Sequence, residues 1–393
     1  MTGVRGLARS VVYSCDKVHP ILEKQSMVRQ MSAASQLMGL AHLTHERPDF
    51  GIASLNIDGR ETAIREEVID RTPFCTLLHF KKNPDTSAPR VLLVAPMSGH
   101  FSTLVRATVH TLLRDHDVYV TDWHNVRDVP VQEGPFDLDD FIDHIIRFLE
   151  VLGKGTHLIA VCQPAVVALA AVAVMAANAH PAQPRSLTLM AGPIDTRINP
   201  TQVNKLATSK SIEWFARNVI DSVPARYDGA SRRVYPGFLQ LAAFMSMNLD
   251  RHTHSFKALY QHISKGERAK ADTIVAFYRE YFAMMDLPAE FYLQTVRAVF
   301  QEHLLPLGRF TFRGTPVEPR AIRRTALFTV EGEKDDICAV GQTLAAQDMC
   351  RGLRPHMKQH HMQPGVGHYG VFNGRRWESQ IYPRLREFVH SHD

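Results

Sequence analysis

The sequence predicts an α/β fold: a mostly parallel sheet with helices on both faces, interrupted by one mainly helical insertion. Three observations point there. Between residues 74 and 190, short β-branched or apolar runs alternate with longer segments of helical period, the pattern of parallel strands joined by crossover helices. The alternation stops near Asp195 and resumes at Ala326-Leu-Phe-Thr-Val-Glu331. Finally, the stretch His157-Leu-Ile-Ala-Val-Cys162-Gln163-Pro164 breaks an apolar run at a cysteine and continues into the Ala/Val-rich segment 165–177. Pro164 is suited to a first helical turn, where a missing N–H costs nothing, so this stretch reads as strand, sharp turn and helix.

Taken in order, residues 1–50 read as an N-terminal extension. Met27, Met31, Leu37, Met38 and Leu40 suggest a helical apolar stripe with a packing role there. The first part of the sheet-bearing core is expected over 51–195, the helical insertion over 196–314, and the second part of the core over 315–393. Within the first part, 74–81 reads as a strand and 84–87 as a turn. Residues 91–95 form a buried strand ending at Pro96-Met97-Ser98-Gly99-His100, 104–113 a helix, and 118–122 a strand ending at Trp123. A helix over 138–152 leads into the cysteine strand, and 186–190 is a further buried strand. The insertion is rich in aromatic residues and methionine, among them Trp214, Phe215, Phe238, Phe244, Met247, Tyr278, Tyr281 and Phe282. Most of these should be its own core, with some facing a cleft. After the strand at 326–331 come a polar turn at 332–336, a helix over 341–350, a strand over 358–362, a glycine-rich loop at 364–370 and a closing helix over 379–390.

Composition narrows the function classes. With 393 residues, 45% hydrophobic and 22% charged, the chain has the makeup of a globular protein with a sizeable core. A net charge of +5 without any long Lys/Arg run argues against a nucleic-acid partner. Five cysteines at irregular positions, Cys15, Cys75, Cys162, Cys338 and Cys350, match neither a disulfide framework nor a zinc site, and reduced thiols in a cytoplasmic protein account for them. Charged residues and serines break the first 20 residues before a signal-peptide core forms. The longest apolar run, 165–177, is shorter than the roughly 18 residues a membrane span needs. The expectation is therefore neither export nor a membrane span, and no metal or cofactor.

The strand–turn–helix at Cys162 is the place for a nucleophile. Such a group needs a base within hydrogen-bond reach, and the base needs a third group to orient it. In α/β-hydrolases the chain order is nucleophile, acid, histidine, with small residues two places either side of the nucleophile; here those places hold Ala160 and Pro164. Cys162, Asp335 and His368 occur in that order, each just after an expected strand, hence at the carboxyl edge of a parallel sheet. Glycines at 365, 367 and 370 make a loop able to carry His368 over that edge. Asp335 is preferred to its neighbour Asp336 because Ile337 can then return to the core. The oxyanion hole is expected from the backbone N–H of Gln163 and a donor from the loop of Met97 and Ser98. His100, Trp123 and Asp336 are candidate substrate contacts. The helix N-terminus beneath Cys162 favours a thiolate.

Four segments carry a resemblance: Ala-Pro-Met-Ser-Gly-His-Phe (95–101), Ala-Val-Cys-Gln-Pro (160–164), Val-Glu-Gly-Glu-Lys-Asp-Asp-Ile-Cys (330–338) and Gly-Val-Gly-His-Tyr-Gly-Val-Phe-Asn-Gly (365–374). They resemble the intracellular poly(3-hydroxybutyrate) depolymerases, over about residues 20–393. The resemblance implies an α/β-hydrolase with Cys162 as nucleophile, Asp335 as acid and His368 as base. It implies cleavage of 3-hydroxybutyrate ester bonds in amorphous cytoplasmic granules, with the polyester chain as partner. Water or CoA as the acyl acceptor, and a homo-oligomer, are left open. Polyester synthases use a similar triad with a Gly-x-Cys-x-Gly box, from which Ala160 and Pro164 depart. A noncatalytic granule-binding protein on the same scaffold is the other alternative.

Overall fold

The computed structural model describes residues 43–84, 87–247 and 249–393; the expected helical stripe between Met27 and Leu40 lies outside them. The described residues divide into two compact units, one within 49–235 and 286–393, the other within 43–48 and 236–285. Residues 196–235 and 286–314, from the expected insertion, fall in the first of these.

The first unit is organised on a nine-stranded sheet. Its strands are β1 (Ser54–Ile57), β2 (Arg60–Arg71), β3 (Cys75–Asn83), β4 (Arg90–Val94), β5 (Asp117–Trp123), β6 (Thr156–Val161), β7 (Ser186–Met190), β8 (Ala326–Gly332) and β9 (Lys358–Gln363). They lie in the order β1-β2-β3-β5-β4-β6-β7-β8-β9. The β1–β2, β2–β3 and β3–β5 pairs are antiparallel, and every pair from β5 onward in that order, through β4, β6, β7 and β8 to β9, is parallel. This is a mostly parallel sheet of the α/β-hydrolase type. The order reverses at β4, so the carboxyl ends of β4 and β6 flank a crevice of the kind in which open α/β sheets bind ligands.

Each covering helix forms for a readable reason. Helix α1 (Arg106–Leu112) follows a 3-10 turn at Ser102–Val105, so the expected helix over 104–113 begins with a tighter first turn. Helix α2 (Leu138–Leu152) starts at a capping box in which Asp137 accepts from the Asp140 N–H at 3.0 Å and Asp140 accepts from the Asp137 N–H at 2.9 Å. It buries Phe141, Ile142, Ile145, Phe148, Leu149 and Leu152 on one face and stops at Gly153, whose φ is 78°. Helix α3 (Pro164–Ala177) is apolar all round and buried nearly throughout, as a helix against the middle of a sheet must be. Helix α4 (Tyr382–Ser391) follows a π turn at Trp377–Ile381.

Two elements differ from expectation. The β1–β2 hairpin was not anticipated: in Arg-Glu-Thr-Ala-Ile-Arg-Glu-Glu-Val-Ile-Asp-Arg only Thr62 and Ile64 are buried, too few apolar positions to show a clean period of two. The helix expected over 341–350 is reduced to Ala345–Met349, because the preceding residues are held as a turn by a buried carboxylate.

The second unit contains helices Gly237–Met247, Leu249–Lys265 and Arg268–Tyr281. Its interior is aromatic: Tyr278 stacks on Phe256 at 4.5 Å and on Phe282 at 5.4 Å. His252 joins the hydroxyls of Tyr278 and Tyr281 at 2.9 and 3.3 Å. Phe238 and Leu249 are exposed.

Candidate active site

Cys162 follows β6 in a left-handed conformation, φ 66°, which L-residues other than glycine seldom adopt and which persists only where the surroundings hold it. Its N–H donates to the Met190 carbonyl at 2.8 Å, and its own carbonyl accepts from Ala165 at 3.1 Å as α3 begins. Glycines two places before and after a nucleophile let strand and helix pass closely; here Gly192, in the loop after β7, supplies part of that room. A Cβ on Gly192 would lie 2.1 Å from the Ala165 Cβ and 3.3 Å from the Cys162 carbonyl oxygen.

His368 and Asp335 meet beside it. The His368 Nδ1 is 2.8 Å from Asp335 Oδ2, with both side chains almost wholly buried. Next to a carboxylate Nδ1 carries a proton, which leaves Nε2 as the nitrogen that gains or loses the second one. The other Asp335 oxygen accepts the N–H groups of Ile337 and Cys338 at 2.9 and 2.8 Å, so the carboxylate is held on both sides. Asp336 is exposed. Burial by itself would lower the His368 pKa; Asp335 and Cys162 oppose it by charge and by hydrogen bonding, and the result lies well above the ordinary histidine value. The loop that delivers His368 uses its glycines: Gly365 has φ 71°, and a Cβ on Gly370 would lie 2.8 Å from the Val366 Cβ.

Met97 and Ser98 lie in the loop leaving β4, next to the elbow because Val94 pairs with Ala160. Among the described residues, no protein acceptor is bonded to the backbone N–H of Gln163, Met97 or Ser98. These three N–H groups lie just beyond the carboxyl ends of β4 and β6. The Gln163 side-chain amide is also buried with neither its nitrogen nor its oxygen bonded, which leaves a donor and an acceptor for a ligand. His100 is buried in the same loop.

Trp123 requires a correction. It is 1% exposed, its Nε1 donates to the Ala95 carbonyl at 3.0 Å, and its ring packs on Phe141 at 4.3 Å. With its one polar atom satisfied and its ring enclosed, it is a core residue rather than a substrate contact. Sequence reasoning also passed over Glu331, Thr343 and Gly192, whose contacts join segments far apart in the chain. The available signal was an acidic residue ending the apolar run of β8. Among the described residues, no cluster of His, Cys, Asp or Glu could hold a metal ion, and no helix is long and apolar enough to cross a membrane.

The fold is similar to that of the 2-hydroxy-6-oxo-6-phenylhexa-2,4-dienoate hydrolase of Rhodococcus sp. strain RHA1, at 13% identity and a TM-score of 0.47, with 84% of this chain and 99% of that one covered. It is also similar to a meta-cleavage product hydrolase from Pseudomonas fluorescens IP01, at 13% identity and a TM-score of 0.45, covering 86% and 98%. No curated protein matches the sequence. The PHB de-polymerase C-terminus model matches residues 191–393, just over half of the chain and the part that contains Asp335 and His368. The chain is an esterase-type hydrolase that belongs to the PHB de-polymerase family.

Proposed function

We propose that this protein is a cytoplasmic depolymerase that cleaves 3-hydroxybutyrate ester bonds in amorphous poly(3-hydroxybutyrate) granules through a Cys162 acyl-enzyme. The observation that carries this reading is the buried His368–Asp335 pair at 2.8 Å, with Cys162 acting on the same imidazole from a left-handed turn. His368 Nε2 takes the thiol proton as the sulfur attacks the ester carbonyl, and the oxyanion is met by the Gln163 N–H together with that of Met97 or Ser98. Collapse breaks the C–O bond, and His368 returns the proton to the departing 3-hydroxyl of the rest of the chain. The resulting thioester is attacked by a water whose proton passes to His368; the carboxylic acid leaves and the thiol is restored. Asp335 orients the ring and stabilises the imidazolium. His100 and Asp336 remain candidate substrate contacts within this proposal, and exposed apolar side chains such as Phe238 and Leu249 are candidates for meeting the granule.

The test is to incubate the protein with amorphous polymer, with and without CoA, beside Cys162→Ala. The proposal expects monomers or short oligomers as free acids, and a fall of about three orders of magnitude in the variant with folding intact. Acyl-CoA products would make CoA the acceptor. Polymer growth with CoA release would instead mean a synthase, and polymer binding unaltered by Cys162→Ala with no turnover in either protein a granule-binding role. Sedimentation at working concentration would decide whether a homo-oligomer forms.

A further inference from the structure

Glu331 is the penultimate residue of β8, whose other residues are apolar, threonine or glycine, and its side chain is fully buried. A carboxylate there is a costly choice unless it is fully hydrogen-bonded, and this one is: Oε1 accepts the N–H groups of Thr343 at 2.8 Å and Leu344 at 2.9 Å, and Oε2 accepts that of Gly341 at 2.9 Å. His360 Nε2 stands 3.8 Å from Oε2. The turn gathered by these bonds presents the Thr343 hydroxyl to Gly192, where it accepts the Gly192 N–H at 2.8 Å and donates to the Gly192 carbonyl at 3.0 Å. Gly192 is the residue lodged against Ala165 and the Cys162 carbonyl. At its other end the same segment begins with Asp335, whose Oδ1 binds the N–H of Cys338 while the Cys338 sulfur lies 3.7 Å from the Thr343 hydroxyl.

We propose that Glu331 and Thr343 are positioning residues. The carboxylate fixes a turn whose hydroxyl clamps Gly192 under the nucleophile turn, which ties the placement of Cys162 to the segment that carries Asp335. Neither residue touches substrate. Their effect is on the alignment of sulfur with imidazole, and small misplacements at a reacting centre are costly to rate. The inference rests on Cys162 being the nucleophile, as proposed above.

The test compares Thr343→Val, Thr343→Ser and Glu331→Gln with the unsubstituted full-length protein on a soluble p-nitrophenyl butyrate probe and on amorphous polymer. The acylation burst counts reactive sites, so that rates are expressed per competent molecule and loss of folded protein is separated from loss of alignment. Thr343→Val is expected to lower kcat per site about 10–100-fold with KM changed less than about twofold, Thr343→Ser to restore it to within a few-fold, and Glu331→Gln to fall between. Per-site kcat equal to the unsubstituted protein in both Thr343→Val and Glu331→Gln, with only thermal stability lowered, would overturn the inference alone. An unsubstituted protein without Cys162-dependent turnover would remove the underlying reading and this inference together.

Discussion

The middle of the sheet and its β1–β2 margin are built on opposite terms. Every residue of β6 and β7 is buried, so each side chain is held by neighbours on both faces, while β2 buries only two of its twelve and most of the others are charged. Cys162 and Asp335 follow strands buried throughout, β6 and β8; His368 lies in the loop after β9, where only Gln363 is buried, and none of the three follows β2. A left-handed turn at a non-glycine residue such as Cys162 persists only where its surroundings over-determine it, and the middle strands are where that holds. The charged margin protects the sheet from pairing with other chains.

Four measurements would sharpen or break this contrast. Ile159→Ala, in the buried middle, is expected to cost about 2–5 kcal/mol in denaturant unfolding; a loss no greater than that of a surface change would contradict the account of β6. Gly192→Ala forces a methyl group onto Ala165 and should cost about 1–3 kcal/mol by overpacking, together with a roughly tenfold or greater drop in ester turnover. The third concerns pH. Burial lowers His157, on β6, to about 4, partly offset by Asp393, and lowers His116 to about 3. Below the ordinary value of 6.5 the unfolded chain binds protons that the folded chain refuses. Stability is therefore complete above about pH 6.5 and falls as pH drops toward 4, by about 1 kcal/mol per unit for each histidine. Unfolding midpoints flat from pH 7 to 4 would contradict it; His157→Gln, which keeps a polar group for Ser186, should flatten part of the slope. Last, Arg147→Ala at the margin removes a bidentate pair with Asp70 at 2.6 and 2.9 Å, yet because the arginine is exposed the cost should be under about 1 kcal/mol.

The same contrast explains what could be read from the chain. Helix α2 and strand β7 were legible to the residue, because an amphipathic stripe with a capping aspartate and a short apolar run are local signals. The sharp turn after β6 was legible from Cys162-Gln163-Pro164, and the contact of His368 with Asp335 joins two residues that chain order had put forward together, their roles remaining part of the proposal. The β1–β2 hairpin was hidden by its charges. Trp123 was misread because a tryptophan at a strand end near a crevice looks the same in sequence whether its ring turns outward or packs on Phe141. The clamp at Gly192 was invisible, since residues 151 positions apart meet there and nothing local announces the meeting.

The other described thiols bear on how this protein would meet electrophiles. Cys75 and Cys338 are buried and pushed well above the usual thiol range, and burial raises Cys350 to about 12, so none of the three supplies an appreciable anion near neutrality. Cys162 alone among them is partly open to solvent. Alkylating agents would therefore find a single partly open thiol among the described residues, and on the reading proposed for Cys162 its modification would stop turnover before it disturbed the fold.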